Sequence, residues 1–498
     1  MGKVMIETTA KVQAFIGQSH IPFYSNGAWV TGSTGKSMTV ENPADKSRLA
    51  TISEALASDA EQAIEGAHAA FSSWQETSPA ERAALLRKLA DLCERDAEEL
   101  SQLEALDVGK PVENARGFDV PFGIECLRYF ADLCEKEEFE TPLTLDGMKQ
   151  ARKVRLPYGV VGFIFPWNFP LTLCQWGIAP ALAAGNTVVV KPSEVTPLST
   201  LYLAKLAEEA GFPAGVINVL PGEGPEVGSV FTQHPKVRFV SFTGSSRVGR
   251  LIGEACGANL KPVKLELGGK GASILCDDAN ISAAAAGLAG AITLNTGQVC
   301  CTATRWIVHE SVASEFIEQV KAELDKVLIK AGMNEDSQMG PLVSERQLNT
   351  VNGYIQQGQE QGAEIVYGGQ PLSDAERSGY YVCPTLLMGS EENICFREEV
   401  FGPVAYITTF KDDADALRQV NSLDYGLANS VWTTNNDRAI SIAKKMVSGN
   451  SWVNAHNVFA YGLPYGACSA SGMGGGVNSR ETMLDYTRNL SIAEPEEE

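Results

Sequence analysis

The chain has 498 residues, 44% apolar and 20% charged, the balance of a globular protein long enough for more than one domain. A formal charge of −21 repels polyanions and argues against nucleic acid or an anionic membrane surface as partner. No apolar run reaches the roughly 18 residues of a membrane helix, and the opening MGKVMIETTAKVQAF lacks a signal-peptide core, so a cytoplasmic protein with no membrane partner is expected.

The first third reads as helical scaffold. In SPAERAALLRKLADLCERDAEELSQL, Ser78 is placed as a cap, Pro79 at the first helical position and Glu81 where a capping box needs it. Residues 59–74 carry a similar apolar stripe. From 159 the pattern changes to short apolar runs, GVVGFIF, NTVVVKP, GVINVLPG and KVRFVSFTG, separated by helical segments. That alternation predicts βαβ units and a parallel sheet of dinucleotide-binding type. A second set, VKLELGG, GASILCD, an Ala-rich helix from about 279, RWIVHE and SVASEFIEQVKAELDKV, predicts a further α/β domain beginning near 264.

Several turns between these elements have chemical potential. PGEGPEVG (221–228) is one residue out of step with GxGxxG and is equally well a plain connection. FTGSSRVG (242–249) places Gly244, Ser245 and Ser246 between a strand and a helix start, where amides and hydroxyls can receive a diphosphate. In KPSEVTPLS, Lys191 ends a strand and Glu194 follows; a carboxylate there can accept both hydroxyls of an adenosine ribose and would repel a 2′-phosphate, although an exposed surface pair fits too. PWNFP (166–170) holds the amide of Asn168 between two prolines after a strand, suited to donating to an oxyanion. Glu266 of LELGG is either a water-activating carboxylate or half of a buried ion pair.

LNTGQVCCTATR (294–305) raises the sharpest question, because Cys300 and Cys301 adjoin. Most of the eleven cysteines read as small buried hydrophobes, without CxxC spacing or the density of a disulfide scaffold. A thiol with an ordinary pKa of about 8.5 needs a base, a dipole or a cation to act as a nucleophile. Adjacent residues rarely face one cleft, so at most one of the two is expected to react.

Together, PWNFP, KPSE, FTGS, LELGGK, NTGQVC and EEVFGPV resemble the aldehyde dehydrogenase superfamily in order and spacing over nearly the whole chain. The resemblance implies an α/β fold with a Rossmann-type NAD-binding domain (1–137 and 156–263), an α/β catalytic domain (264–472) and small β oligomerisation segments (138–155 and 473–498). It also implies NAD as cofactor, a small-molecule aldehyde as substrate, and a homodimer or homotetramer in which ARKVRLPYG and DYTRNLSIAEP pair between subunits. The family motif Asn-x-Gly-Gln-x-Cys falls on Asn295, Gly297, Gln298 and Cys300, which makes Cys300 the nucleophile, Asn168 with the Cys300 amide the oxyanion donors, and Glu266 the base for thioester hydrolysis.

By the same resemblance, Lys191 and Glu194 meet the adenosine ribose, Ser245 the diphosphate, and Glu399 the nicotinamide ribose, with Phe401 and Trp167 beside the nicotinamide. Phe165, Ser193, Gly224, Gly228, Phe242, Gly244, Val248, Leu267 and Gly268 complete the expected cofactor cleft, to which Glu266 and Cys300 also belong. The expected aldehyde tunnel comprises Phe169, Leu173, Trp176, Cys301, Phe459 and Tyr465, with His456 nearby as a hydrogen-bonded structural residue. Its aromatic character favours a hydrophobic or aromatic aldehyde, and NAHNVFAYGLPYG is similar to phenylacetaldehyde-type members. The same rings could cage the cation of betaine aldehyde or another amino-aldehyde. A CoA-acylating enzyme would typically lack Glu266, an NADP-dependent semialdehyde enzyme would prefer a basic residue near Glu194, and a noncatalytic role conflicts with an intact nucleophile, oxyanion donor and base.

Two departures stand out. The family commonly has Lys where this chain has Gly177, and Arg-Glu where it has Gly475 and Gly476. In the family that Lys and Glu can lie near the general base. Their joint loss implies that Glu266 works through water or backbone alone, with Glu481 as a less favoured substitute.

Overall fold

The computed structural model of the chain describes residues 5–370, 372 and 378–496; residues 1–4 of the opening and 497–498 of the acidic tail lie outside them. Five parallel strands form the centre of an eight-stranded sheet, in spatial order Ile217–Val219, Thr187–Lys191, Val160–Ile164, Val237–Thr243 and Val263–Glu266. Every residue of Val160–Ile164 and Thr187–Lys191 is buried, as expected for continuous β-branched runs covered on both faces. The chain moves outward from Val160–Ile164 through Thr187–Lys191 to Ile217–Val219, then returns to the opposite side at Val237–Thr243. The strand order therefore reverses between Val160–Ile164 and Val237–Thr243, where open parallel sheets leave a crevice at the strands' carboxyl ends. PWNFP, KPSE and FTGSS all follow those ends.

One expectation fails here. VKLELGG does not open the second α/β unit: Val263–Glu266 pairs in parallel with Val237–Thr243 and antiparallel with Gly472–Met473, completing the first sheet. The division placed near 264 falls inside this strand, because a fully apolar strand carries no mark of the sheet it joins. Glu266 consequently sits on the last residue of a first-sheet strand and faces the second sheet's loops. That second sheet has seven strands, with Gly271–Leu275 near its middle between Ala303–His309 and Ala428–Trp432.

The helices follow their sequence signals. Ser78 Oγ accepts from the Glu81 amide at 3.2 Å while Glu81 accepts from the Ser78 amide at 2.7 Å, closing the capping box of Pro79–Arg95. The Ala-rich helix runs over Ile281–Thr293 and delivers the cysteine loop.

The segments expected to pair between subunits pair with each other within one chain. Met148–Pro157 lies antiparallel to Thr487–Pro495 on one side and to Glu140–Leu143 on the other. The chain's two extended segments satisfy one another's ladder directly, and the outer edges of this three-stranded sheet stay open. Among the described residues no helix is long and apolar enough to cross a membrane.

Candidate active site

The cysteine loop is held in an unusual backbone shape. After the helix ends, Asn295, Thr296 and Gly297 take positive φ values of 47°, 57° and 70° in succession. For a β-branched threonine this left-handed conformation costs on the order of 1–3 kcal/mol, so the surroundings must impose it. They do so through hydrogen bonds. Asn295 Nδ2 donates to the Asn168 carbonyl at 2.8 Å, Gln298 Nε2 to the Asn295 carbonyl at 3.0 Å, and Thr296 Oγ1 to the Gly340 carbonyl at 3.0 Å. Gln298 Oε1 in turn accepts from the Val343 amide at 3.0 Å. Position 297 must be glycine, since a Cβ there would lie 2.2 Å from the Gly402 carbonyl oxygen.

The PWNFP loop is locked to this turn from the other side. Asn168 Nδ2 donates to the Gln298 carbonyl at 3.0 Å, so one of its two amide protons fixes the side chain and the second is left for a ligand. Two loops from different sheets thus share one buried network around Asn168, Asn295 and Gln298.

A largely apolar cavity opens onto Cys300, walled by Phe118, Phe169, Leu173, Trp176, Phe459 and Tyr465. Phe118 was missed by the sequence reading, which treated the early helices as scaffold. Trp176, Phe459 and Tyr465 meet at centroid distances of 5.3 to 6.0 Å. Behind Phe169, the buried Lys110 ammonium lies 4.3 Å from the ring centroid and bonds Glu104 at 2.9 Å and Asp119 at 2.5 Å, bracing the wall.

Both cysteines border this cavity, Cys301 as a wall residue beside Cys300. Cys301 is buried and its sulfur is directed at Asn457 Oδ1, 3.4 Å away. Cys300 is a half-buried residue, and its sulfur lies 3.9 Å from the Tyr465 hydroxyl. The adjacent Cys301 thiol and burial together push the Cys300 pKa up, while the same contact with Cys300 pulls the Cys301 pKa down. His456 does not line the cavity: its ring nitrogens bond Ser430 Oγ at 2.9 Å and the Cys301 carbonyl at 2.8 Å, fixing the backbone behind the cysteines. Burial lowers its pKa to about 4, which keeps it neutral.

Glu266 lines the same cavity together with Lys264, two residues earlier on the same strand face. Burial raises the Glu266 pKa to about 8, against the stabilising field of Lys264. Lys264 is thus a charged neighbour on the same wall, while Glu266 Oε2 has no hydrogen-bond partner in the chain. Lys264 is itself buried, donates to the Gly476 carbonyl at 2.6 Å and pairs with Asp485 at 3.1 Å. The space beside Gly177 is taken by stacked Phe163 and Phe165; a Cβ there would lie 2.6 Å from Phe165. Gly475 and Gly476 have φ of 92° and 78°, and a Cβ would lie 2.1 Å from Asp485 Oδ2 at the first and 2.3 Å from the Tyr465 carbonyl oxygen at the second. Lysine at 177 and glutamate at 476 therefore cannot be restored without repacking. Glu481 is exposed and does not reach the cavity.

The crevice at the strand ends fits the expected dinucleotide. Ser245 caps the helix Ser246–Ala258 by accepting from the Val248 amide at 3.4 Å, and the Phe242 ring lies so close under Gly244 that a Cβ would sit 2.5 Å from it. Gly224–Gly228 forms a single π turn entering a short helix, with open space at Gly224. Lys191 gives its three protons to the Pro192 and Gly222 carbonyls and to Glu194, so it braces the loop while the half-exposed Glu194 presents its carboxylate. Ser193 Oγ accepts from the Val195 amide at 3.2 Å. Toward the cavity, Glu399 accepts from the Gly269 amide at 2.9 Å, and a Cβ on Gly268 would meet it at 2.3 Å. Burial raises the Glu399 pKa to about 7. Phe401, at φ 56°, stands edge-on to Trp167 at 5.3 Å, and Leu267 reaches the cavity wall.

A model of the aldehyde dehydrogenase family matches residues 29–492. The chain belongs to this family. Phenylacetaldehyde dehydrogenase of Pseudomonas fluorescens is 40% identical over 457 residues, 90% of this chain and 91% of that protein. The NAD+ complex of aldehyde dehydrogenase from Bacillus cereus has a TM-score of 0.96 at 38% identity, covering 99% of this chain and 100% of that one. Betaine aldehyde dehydrogenase from Staphylococcus aureus, also solved with NAD+, has a TM-score of 0.94 at 32% identity, with 98% and 97% covered.

Within this aldehyde dehydrogenase, the residues that sequence reasoning overlooked come from elements it had set aside. Lys264 was signalled by the Lys-x-Glu spacing on a strand, which puts both side chains on one face. Asp485 lay in a segment read only as an oligomerisation strand, and Phe118 in helices read only as scaffold.

Proposed function

We propose that this aldehyde dehydrogenase uses NAD to oxidise a hydrophobic, aromatic aldehyde to its carboxylic acid. The observation that carries the reading is the aromatic cavity that ends on Cys300 beside the Asn168 amide and is also lined by Glu266. Its walls exclude water and contribute apolar contact to a ring-bearing substrate, while no unpaired cation stands among the tunnel residues named above to receive a carboxylate on the substrate.

Cys300 first gives its proton to the Glu266 carboxylate through a water in the cavity, Glu266 releases that proton to solvent before deacylation, and the Cys300 sulfur bonds to the aldehyde carbon. The developing oxyanion is met by the free amide proton of Asn168 and the Cys300 backbone N–H. When bound, the nicotinamide supplies the hydride acceptor. Glu266 then takes a proton from water as the water oxygen adds to the thioester carbon, and the C–S bond electrons return to the Cys300 sulfur. Glu194, Lys191, Ser193, Ser245 and the glycine turns would hold the adenosine and diphosphate, and Glu399, Phe401 and Trp167 the nicotinamide end.

The convergence of Trp176, Phe459 and Tyr465 also favours a second reading, a quaternary ammonium aldehyde held by the ring faces. NADH formation with phenylacetaldehyde and with betaine aldehyde, without CoA, separates the two by the ratio of kcat/KM. Cys300→Ser should lower turnover of the preferred aldehyde at least about a thousandfold, and survival of turnover in that variant would contradict the nucleophile assignment.

The reading extends to a cytoplasmic homodimer or homotetramer. Its support is the open three-stranded sheet, which exposes Leu143, Met148, Leu490 and Ile492. Sedimentation velocity tests it: a single monomeric species at micromolar concentration would contradict it.

A further inference from the structure

A base buried as deeply as Glu266 must release, once per turnover, the proton it takes from water. Its Oε2 has no hydrogen-bond partner within the chain. On the same strand face and the same cavity wall stands the Lys264 side chain, 1% exposed. Beyond it the Lys264 Nζ donates to the Gly476 carbonyl at 2.6 Å, lies 3.1 Å from the buried Asp485 Oδ2 as an ion pair without hydrogen-bond alignment, and stands 5.0 Å from the Tyr486 ring centroid. The Asp485 side chain is 30% exposed, so the series runs from the cavity to solvent. In the segment linking Gly476 to the helix Arg480–Asp485, both amide atoms of Asn478 are buried without a partner in the chain, which marks this stretch as polar enough to order water. The groups acting electrostatically on the pair are Glu266 on Lys264, and Glu481 and Arg155 on Asp485.

We propose that Lys264 and Asp485 are the exit path by which the proton collected by Glu266 reaches solvent. The proposal rests on the reading of Glu266 as the general base. After water adds to the thioester, the Lys264 ammonium passes one proton to the Asp485 carboxylate, and the amine so formed takes the proton from Glu266, directly or through one water. Asp485 then releases its proton to bulk solvent, restoring the carboxylate at 266 and the ammonium at 264 with no change of oxidation state. Burial lowers the Lys264 pKa and raises those of Glu266 and Asp485, which brings the three proton affinities closer together. Lys264 is a positioning and relay residue in this scheme and forms no bond to substrate.

The test is stopped-flow NADH formation with phenylacetaldehyde for the wild type, Lys264→Met, Lys264→Arg, Asp485→Asn, the Lys264→Met/Asp485→Asn double variant and Glu266→Gln. Lys264→Met should keep the first-turnover burst and lose about tenfold in steady-state rate, with a larger solvent isotope effect on that phase. Lys264→Arg keeps the ion pair but cannot give up its proton, so it should stay slow; wild-type turnover in it would show a purely structural pair and overturn the proposal. If Lys264→Met fails to fold, the double variant removes both charges together and carries the same comparison. Glu266→Gln separates the two levels. Full steady-state turnover in it would overturn the general-base reading and the path with it. A stall after the burst in Glu266→Gln, with wild-type turnover in Lys264→Met, would overturn the path alone.

Discussion

The two walls of the cavity are built on opposite principles. On the nucleophile side, Asn168, Asn295, Thr296 and Gln298 share a hydrogen-bond network across two loops. On the base side, Glu266 Oε2 and both amide atoms of Asn478 are buried with no partner in the chain. An attacking sulfur and an oxyanion donor must stand still, and a dense set of bonds between two loops rigidifies them, with Asn295 Oδ1 left unpartnered, even at the cost of left-handed backbone at Thr296. On the base side the unpartnered atom belongs to the proton-accepting carboxylate of Glu266 itself, which leaves it room to change partners.

Breaking the fixed wall should have the largest effect. Asn168→Ala removes the oxyanion donor and is expected to lower kcat about a hundredfold with little change in KM; a change confined to KM would mean the amide only binds substrate. Next comes the base. Burial puts the Glu266 pKa at about 8, above the ordinary carboxylate range, so its carboxylate forms, and deacylation accelerates, as pH rises through that value. Glu266→Gln should remove this rise, and a pH profile of steady-state turnover identical to the wild type would contradict the assignment.

Asn295→Ala sharpens the comparison from the structural side. It leaves the Asn168 carbonyl without its partner in a buried turn and should destabilise the chain by about 1–3 kcal/mol, read as a lower Tm. Tyr465→Phe should matter least. The hydroxyl lies 3.9 Å from the Cys300 sulfur, too far for a strong bond, and turnover should change by less than about threefold.

Much of the fixed wall was legible in the sequence because local chemistry dictates it. Gly297 and the amides of Asn168, Asn295 and Gln298 are residue types that a left-handed, hydrogen-bonded turn requires. The base side was legible only in part. Glu266 announced itself beside two glycines, but Asp485, which pairs with the neighbouring Lys264, comes from a distant helix, and the strand that carries Glu266 looked like the start of a new sheet. The loss of charge at Gly177 and Gly476 was read as removal of a relay. The structure instead places Lys264 on the same cavity wall as Glu266 and pairs that lysine with Asp485, a contact between remote segments that no local pattern encodes. His456 was likewise placed near the tunnel by its aromatic neighbours, whereas two hydrogen bonds hold it behind the cysteine backbone.

The most direct test of the division between a fixed acylating wall and a proton-passing wall is the pre-steady-state time course of NADH formation with phenylacetaldehyde, recorded across pH 6 to 9, a range on the order of one unit or more to either side of the Glu266 value. The account predicts a burst stoichiometric with active sites at every pH, followed by a steady rate that climbs through about pH 8. A time course without a burst, or a steady rate that does not respond to pH in that range, would contradict it.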